Sequence, residues 1–300
     1  MYYLGVDGGG TETVFALMDE NGEIIKSHTG DGCYYPDIGK DGVAKVLREG
    51  MERCLEGIIP SNVVACAGIP SYGERDSLME DLNYIKSKLP VRTMLTNDVV
   101  IGYYGSLGFT EGINVVAGTG SIAIGFDESG NCARAGGFGP AMNCDEGSGH
   151  HIGLALIQKF TRQSDMREKR TLLYSIVRQE LQLSKDMDIL SRMTEDIRMD
   201  RAEVAQLSIL AYKIAQQGDE VCISIFNAAA RELYLLAAGI RRQLEYKQTP
   251  IKVSYSGGVF KAGKLIFTPF EKLLSKNGFT LVKPVGTPVY GACLQAKKMA

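Results

Sequence analysis

The sequence predicts an α/β protein of two domains, each built on a β-β-β-α-β-α-β-α unit, with a helical insert in the second. Three observations lead to this. The chain opens on a short apolar run that ends in an acid and a glycine turn, Tyr2-Tyr3-Leu4-Gly5-Val6-Asp7-Gly8-Gly9-Gly10-Thr11. The order of strand, Gly/Thr turn, strand and acidic Gly turn restarts at Gly112, with Gly118-Thr119-Gly120-Ser121 in place of the first turn. This is a weak internal repeat of a whole supersecondary unit. From about 151 to 246 the pattern changes to long segments with apolar residues at helical spacing, and strand signals resume at Ile251.

Taken in order, strands are expected over residues 2–7, 12–19 and 23–29, with Asn21-Gly22 as the hairpin turn between the last two. Residues 30–39 read as a loop, with Gly30, Gly32 and Pro36 around the pair Tyr34-Tyr35. A helix follows over 40–56, with Val43, Val46, Leu47, Met51 and Leu55 on one face. A buried strand over 63–68, a helix over 74–89, a strand over 91–96 closed by Asn97-Asp98, and a helix over 99–107 complete a first domain of residues 1–110. The second domain, 111–300, has strands at 112–117, 122–127 and from 132. Its insert has helices near 152–161, 168–182, 201–216 and 220–244. A strand over 251–255 then ends in Ser256-Gly257-Gly258, and a helix over 264–276 and a short strand over 280–283 follow. The last helix, 289–298, is expected to pack back on the first domain.

Composition narrows the function classes. The 300 residues are 45% hydrophobic and 23% charged with a net charge of -2, which disfavours nucleic acid and anionic membrane as partners. No early apolar run reads as a signal peptide and none is long enough to span a bilayer, so a cytoplasmic location is expected. The seven cysteines are scattered without a Cys-x-x-Cys pair, which disfavours disulfide scaffolds, zinc sites and clusters held within one chain, and points to reduced thiols, mostly buried. His28, His150 and His151 lack metal-ligand spacing. The broad apolar faces of the insert are compatible with a homodimer.

Glycine turns let backbone N–H groups approach an anion, Thr11 adds a hydroxyl, and Asp7 at a strand end can hold a metal directly or through water. The two turns of the duplicated frame point to terminal phosphates held from two sides of a cleft. Gly257-Gly258, between a strand and a helix, offers flat backbone for a nucleoside. Together they predict nucleotide binding.

These stretches resemble the actin, heat-shock chaperone and sugar-kinase superfamily. More narrowly they are similar to the BadF/BadG/BcrA/BcrD ATPase family and its N-acetylglucosamine kinase-like branch. The resemblance is carried, in the family's order, by Gly5–Thr11, Thr96-Asn97-Asp98, Ala117–Ser121, Gly136-Gly137-Phe138-Gly139 with Asp145-Glu146-Gly147-Ser148-Gly149, and Tyr255–Val259. It implies a ribonuclease H-like (actin-like ATPase) fold, ATP and Mg²⁺ as cofactors, and a kinase acting on a hydroxyl of a sugar, an amino sugar such as N-acetylglucosamine or glucosamine. It implies that Asp98 takes the proton of the attacking hydroxyl and that Asp7 places Mg²⁺ through its waters. Gly9, Gly10 and Thr11, with Gly118, Thr119, Gly120 and Ser121, would meet phosphates, and Gly257 and Gly258 the nucleoside. Asn97, Asp98, Gly137, Asp145 and Glu146 would face the sugar, joined by Tyr34 and Tyr35. Helix capping is the competing role for Asp98 and for the Asp145-Glu146 pair. Two departures stand out: the loop over 30–39 lacks the Asn that reads an acetamido group, and Asn143-Cys144 precedes Asp145 where glycine is expected. Two other functions stay open. One is an ATPase that activates an acyl-CoA reductase or dehydratase, disfavoured because no Cys adjoins the second turn. The other is a nucleotide-binding module without turnover.

Overall fold

The computed structural model describes residues 1–70, 72–73, 76–139, 142 and 144–300, and of Asp76 the backbone alone. The chain forms two compact units, Met1–Thr110 with Lys283–Ala300, and Glu111–Val282.

The first unit runs β1 (Tyr2–Gly8), β2 (Glu12–Met18), β3 (Ile24–Asp31), α1 (Tyr35–Leu55), β4 (Val63–Ile69), α2 (Met79–Ser87), β5 (Arg92–Asn97) and α3 (Asp98–Leu107). Its sheet has the order β3-β2-β1-β4-β5, antiparallel through β1, β2 and β3 and parallel through β1, β4 and β5. The second unit runs β6 (Gly112–Ala117), β7 (Ser121–Phe126), β8 (Cys132–Gly136), α4 (Gly149–Ser164), α5 (Leu172–Glu180), the single turn α6 (Ile189–Ser191), α7 (Arg201–Gln216), α8 (Glu220–Arg241), β9 (Ile251–Ser256), α9 (Lys264–Lys276) and β10 (Phe279–Leu281). Its sheet order, β10-β9-β6-β7-β8, repeats the first with the same strand directions. The last helix, α10 (Pro288–Lys298), belongs to the first unit. The repeat read in the sequence is therefore a repeat of a complete sheet, the ribonuclease H-like arrangement.

Burial explains the strands. All seven residues of β4 are buried, as a central parallel strand with helices on both faces requires. On one face α1 and α2 bring Leu47, Met51 and Ile85 against Leu4, Val6 and Ala65. On the other, Ile101 of α3 and Cys293 and Ala296 of α10 meet Tyr3, Met18 and Cys66. In the second unit the helices of the insert cover Ile113, Val115 and Ala123 with Ile152, Leu233 and Ala237. Cys132 and Cys144 differ from the five buried thiols, Cys132 being exposed and Cys144 partly so.

Several boundaries differ from the sequence reading, for local reasons. Helix α1 begins at Tyr35 rather than in the forties, because Pro36 presets the first turn; a break at Gly39 (φ 64°, ψ 179°) divides it. The helix expected over 74–89 is described from a single turn at Asp76–Leu78 into α2, and residues 74 and 75 lie outside the described residues. Helix α5 is shorter than expected because Glu168 is drawn back to Lys159 and Arg162, at 2.9 and 2.6 Å. By length and composition α8 is long and apolar enough to cross a membrane, contrary to the sequence reading, since Arg231 and Glu232 are its few interior charges. Its Cys222, Phe226, Leu233 and Ala237 are buried in the core of the second unit.

Helices α4 and α7 cross closely. A Cβ on Gly153 would run into the Val204 carbonyl oxygen and stand 3.3 Å from Leu207 Cβ. Backbone cannot yield as a side-chain tip can, so Gly153→Ala is expected to destabilise the protein by about 1–3 kcal/mol despite the better helix propensity of Ala. Urea denaturation reads this; a raised midpoint would contradict it.

Candidate functional site

In the first unit the carboxyl ends of β1, β4 and β5 lie side by side, the edge at which open α/β sheets bind ligands. The register places Asp7 beside Gly68, Gly68 beside Thr96, and Ile69 beside Asn97. The backbones of β1 and β5 are thus two strand spacings, about 10 Å, apart. Glycine is needed between them: a Cβ on Gly68 would stand 2.5 Å from the Ile101 side chain and 3.1 Å from Asp98 Cα. Its absence lets α3 start directly over the strand ends.

Asn97, not Asp98, caps that helix. Asn97 Oδ1 accepts the Val99 N–H at 3.0 Å, and its Nδ2 donates to the Tyr72 carbonyl at 3.0 Å. Asp98 is the first helical residue, half-buried, its Oδ1 also 3.0 Å from the Val99 N–H. Burial, then the charges of Asp98 and Glu12, push the Asp7 carboxyl up to about 7. Two acids are thus held at one sheet edge at an electrostatic cost that a cation relieves.

The turn between β1 and β2 is pinned at two points. Gly9 N–H donates to the Glu12 carbonyl at 2.9 Å, and Cys33 N–H donates to the Gly9 carbonyl at 2.9 Å. The N–H groups of Gly10 and Thr11 make no hydrogen bond among the described residues, and both residues are exposed. Cys33 is buried against Gly8, and burial, with smaller contributions from Asp98 and Asp7, pushes its thiol up. The two tyrosines separate in role. Tyr35 donates its hydroxyl to Asp81, which also accepts from Lys40 at 2.9 Å. Tyr34 precedes α1, and its hydroxyl has no partner among the described residues.

The second unit repeats the design with different anchors. Gly118 N–H donates to the Gly120 carbonyl at 2.9 Å. The first N–H groups of α4, which no helical carbonyl can satisfy, hold the turn: Gly149 donates to the Gly118 carbonyl at 2.8 Å and His150 to that of Thr119 at 3.2 Å. The N–H groups of Thr119 and Gly120 are left without a hydrogen bond among the described residues. Ser121 is committed elsewhere, its Oγ donating to the Glu146 carbonyl at 2.7 Å.

Asp145 is buried. Its Oδ2 accepts from Arg201 Nε at 3.1 Å and lies 2.9 Å from Arg201 Nη2, and its Oδ1 is 3.4 Å from the Ser121 N–H. The Glu146 carboxylate makes no hydrogen bond among the described residues. The cap of α4 is Ser148, which accepts the His151 N–H at 3.1 Å, so neither Asp145 nor Glu146 has that role. Gly137 lies past β8 with φ 73°, its carbonyl taken by Arg134 at 2.9 Å. Asn143 lies outside the described residues. Burial lowers both His150 and His151, and Nδ1 of His151 accepts the Gly147 N–H at 3.2 Å.

A cavity of about 580 Å³, of nucleotide size, opens beside this turn. It is lined by Gly118 and Thr119, by Gly149 and Ile152 of α4, by Ala205, Gln206, Ser208, Ile209 and Tyr212 of α7, and by Gly258, Val259, Lys261 and Ala262. Gly257 (φ 101°) joins the strand ends, since a Cβ there would stand 2.9 Å from Gly118 N. Sequence reasoning missed Arg201, Lys261 and the α7 face. The one signal available was the recurrence of 205, 208, 209 and 212 at helical spacing with Gln206 and Ser208 among apolar neighbours.

Magnesium fits the acids present. Among the described residues no group of three or more His, Cys, Asp or Glu is placed to hold a metal. Asp7 and Asp98, two carboxylates at one sheet edge, would suit an ion that takes its other ligands from water and phosphates.

Fold and turns together define a duplicated, ribonuclease H-like nucleotide-binding protein. The chain belongs to the BadF/BadG/BcrA/BcrD ATPase family, whose model matches residues 4–296. It is 28% identical over 315 residues to an N-acetyl-D-glucosamine kinase of Dictyostelium discoideum, covering 98% of this chain and 97% of the relative. It is 27% identical over 282 residues to an N-acetylmuramic acid/N-acetylglucosamine kinase of Clostridium acetobutylicum, covering 92% and 91%. The crystal structure of a candidate N-acetylglucosamine kinase from Chromobacterium violaceum matches with a TM-score of 0.80 over 98% of both chains at 24% identity.

The raised carboxyl of Asp7 predicts a pH dependence. A folded-state value of about 7 against 3.8 means that the neutral form is favoured in the fold. Its contribution is fully present below the unfolded value and is lost as pH rises through the folded one. Asp7→Asn is therefore expected to gain stability over the wild type progressively from about pH 4 to about pH 7. Denaturation curves across that range test this, and a constant difference would contradict it.

Proposed function

We propose that the protein is an ATP-dependent kinase that phosphorylates a hydroxyl of an amino sugar, N-acetylglucosamine or a close relative. The observation that carries this reading is Asp98. With Asn97 capping α3, Asp98 is not required as the cap, yet it stands at the sheet edge close enough to raise the carboxyl of Asp7. A module that only binds nucleotide gives no reason to keep a second acid there. The named activities of the Dictyostelium and Clostridium relatives support the same reading.

In this mechanism Asp98 orients the attacking sugar hydroxyl and accepts its proton as the phosphoryl group transfers. Asp7 would hold Mg²⁺ through its waters, and the ion would supply charge neutralisation on the phosphates. Each unit offers its own donors to phosphate oxygens, the N–H groups of Gly10 and Thr11 in the first and those of Thr119 and Gly120 in the second, with Gly9 and Gly118 shaping the two turns. The cavity beside Gly118 takes the nucleoside against Gly258 and the α7 face, and Gly257 keeps its floor closed. Of the groups read toward the sugar, Tyr34 and Glu146 keep polar atoms without hydrogen-bond partners among the described residues. The amide of Asn97, the hydroxyl of Tyr35 and the carboxylate of Asp145 are already engaged.

A coupled ADP-release assay over N-acetylglucosamine, glucosamine, N-acetylmuramic acid, glucose and mannose tests the reading. An amino sugar is expected to stimulate release most; stimulation by none of them would overturn the kinase assignment. Asp98→Asn is expected to lower turnover by about 100- to 10,000-fold while ATP affinity stays near wild type. Turnover close to wild type in that variant would remove Asp98 as the base.

A further inference from the structure

Arg201 is placed for more than an ion pair. It is the first residue of α7, after the cap Asp200, which accepts the N–H groups of Ala202 and Glu203 at 2.9 Å each. Its guanidinium lies against Gly120: a Cβ there would collide with Nη2, stand 3.2 Å from Cζ, and be 2.7 Å from Asp145 Oδ1. A side chain at 120 would therefore displace the guanidinium. The partner carboxylate is almost fully buried, with 2% of its side chain exposed, while 44% of the Arg201 side chain is open to solvent. Nε and Nη2 face Asp145, and Nη1 makes no hydrogen bond among the described residues.

The surroundings point to an anion. Arg201 lies one helical turn before Ala205 on α7, and the face continued by Ala205, Ser208 and Tyr212 lines the cavity. Gly120, on which the guanidinium rests, and Thr119 carry the two turn N–H groups without partners among the described residues. A planar guanidinium with spare donors beside unpartnered backbone N–H groups is the arrangement that recognises phosphate oxygens. A purely structural role accounts for this poorly, because an ion pair with its arginine 44% open to solvent adds little stability.

We propose that Arg201 is the cationic contact for the phosphates of the nucleotide in the second unit, and that buried Asp145 is the residue that positions it. This rests on the nucleotide-binding reading of the cavity. It gives Asp145 a role distinct from sugar contact: it holds the guanidinium flat on Gly120, so that little side-chain freedom is lost when the phosphates arrive.

Calorimetric titration of the full chain with ATP and, separately, with adenosine tests this, because adenosine lacks the group Arg201 would contact. Arg201→Met is expected to weaken ATP binding by about 10- to 100-fold, as loss of a charge-assisted hydrogen bond does, and to leave adenosine binding unchanged. Arg201→Lys should recover part of the loss. Asp145→Asn should weaken ATP by a smaller factor, again with adenosine unchanged. Should Arg201→Met fold poorly with Asp145 left unpaired, the double variant Arg201→Met/Asp145→Asn removes both charges and must show the same selective loss. Wild-type ATP affinity in a folded variant, or parallel loss of ATP and adenosine, overturns the role of Arg201 while the nucleotide reading stands. A wild-type protein that binds neither ligand overturns both.

Discussion

The first unit turns on the crowding of two carboxylates at one sheet edge. Asp7 stands next to the end of β1, Asp98 follows β5, and Gly68 of β4 lies between the two strands. Parallel pairing brings the ends of these strands to the same edge, and the glycine lets α3 begin there. The consequence is an Asp7 carboxyl raised to about 7 by burial and by its neighbour. Sites that keep such a cost are sites where a ligand repays it. In the proposed kinase reaction a divalent cation and the proton of an attacking hydroxyl are the two species that would do so.

The second unit solves a different problem, holding a turn still with its N–H groups outward. The first N–H groups of α4 take the carbonyls of Gly118 and Thr119. Ser121 ties the turn to Glu146, and the Asp145–Arg201 pair braces it at Gly120. Every one of these contacts uses up a polar group that would otherwise be a candidate for ligand binding. What remains, the N–H groups of Thr119 and Gly120 and the outer side of Arg201, is a small and uniformly donating set, suited to phosphate.

Much of this was legible in the sequence for identifiable reasons. Apolar runs of strand length, a restart of the Gly/Thr turn at Gly118 and apolar residues at helical spacing each report local physics, so the duplicated sheet and most elements could be read directly. The reading faltered where tertiary contacts decide. Asn97 and Asp98 are adjacent and equally good caps on paper, and the Oδ1 of each lies 3.0 Å from the Val99 N–H; only the fold shows that the helix starts at Asp98 and leaves Asn97 as its cap. Tyr34 and Tyr35 read as a pair, yet Asp81, 46 residues from Tyr35, claims one of them. Arg201 was invisible because its partner is 56 residues away and no spacing rule links them. The start of α1 falls earlier than a loop ending at Gly39 implies, because Gly39 breaks a helix already begun at Tyr35.

The most direct test of the central claim follows protons. Binding of magnesium–ATP, measured by calorimetry in buffers of different ionisation enthalpy near pH 6.5, reports the protons released by the protein. With Asp7 at about 7 in the free protein and ionised once magnesium is held, the wild type should release most of one proton more than Asp7→Asn does. Equal release from the two proteins would contradict the account, because Asp7 would then not be the acid that the bound cation ionises.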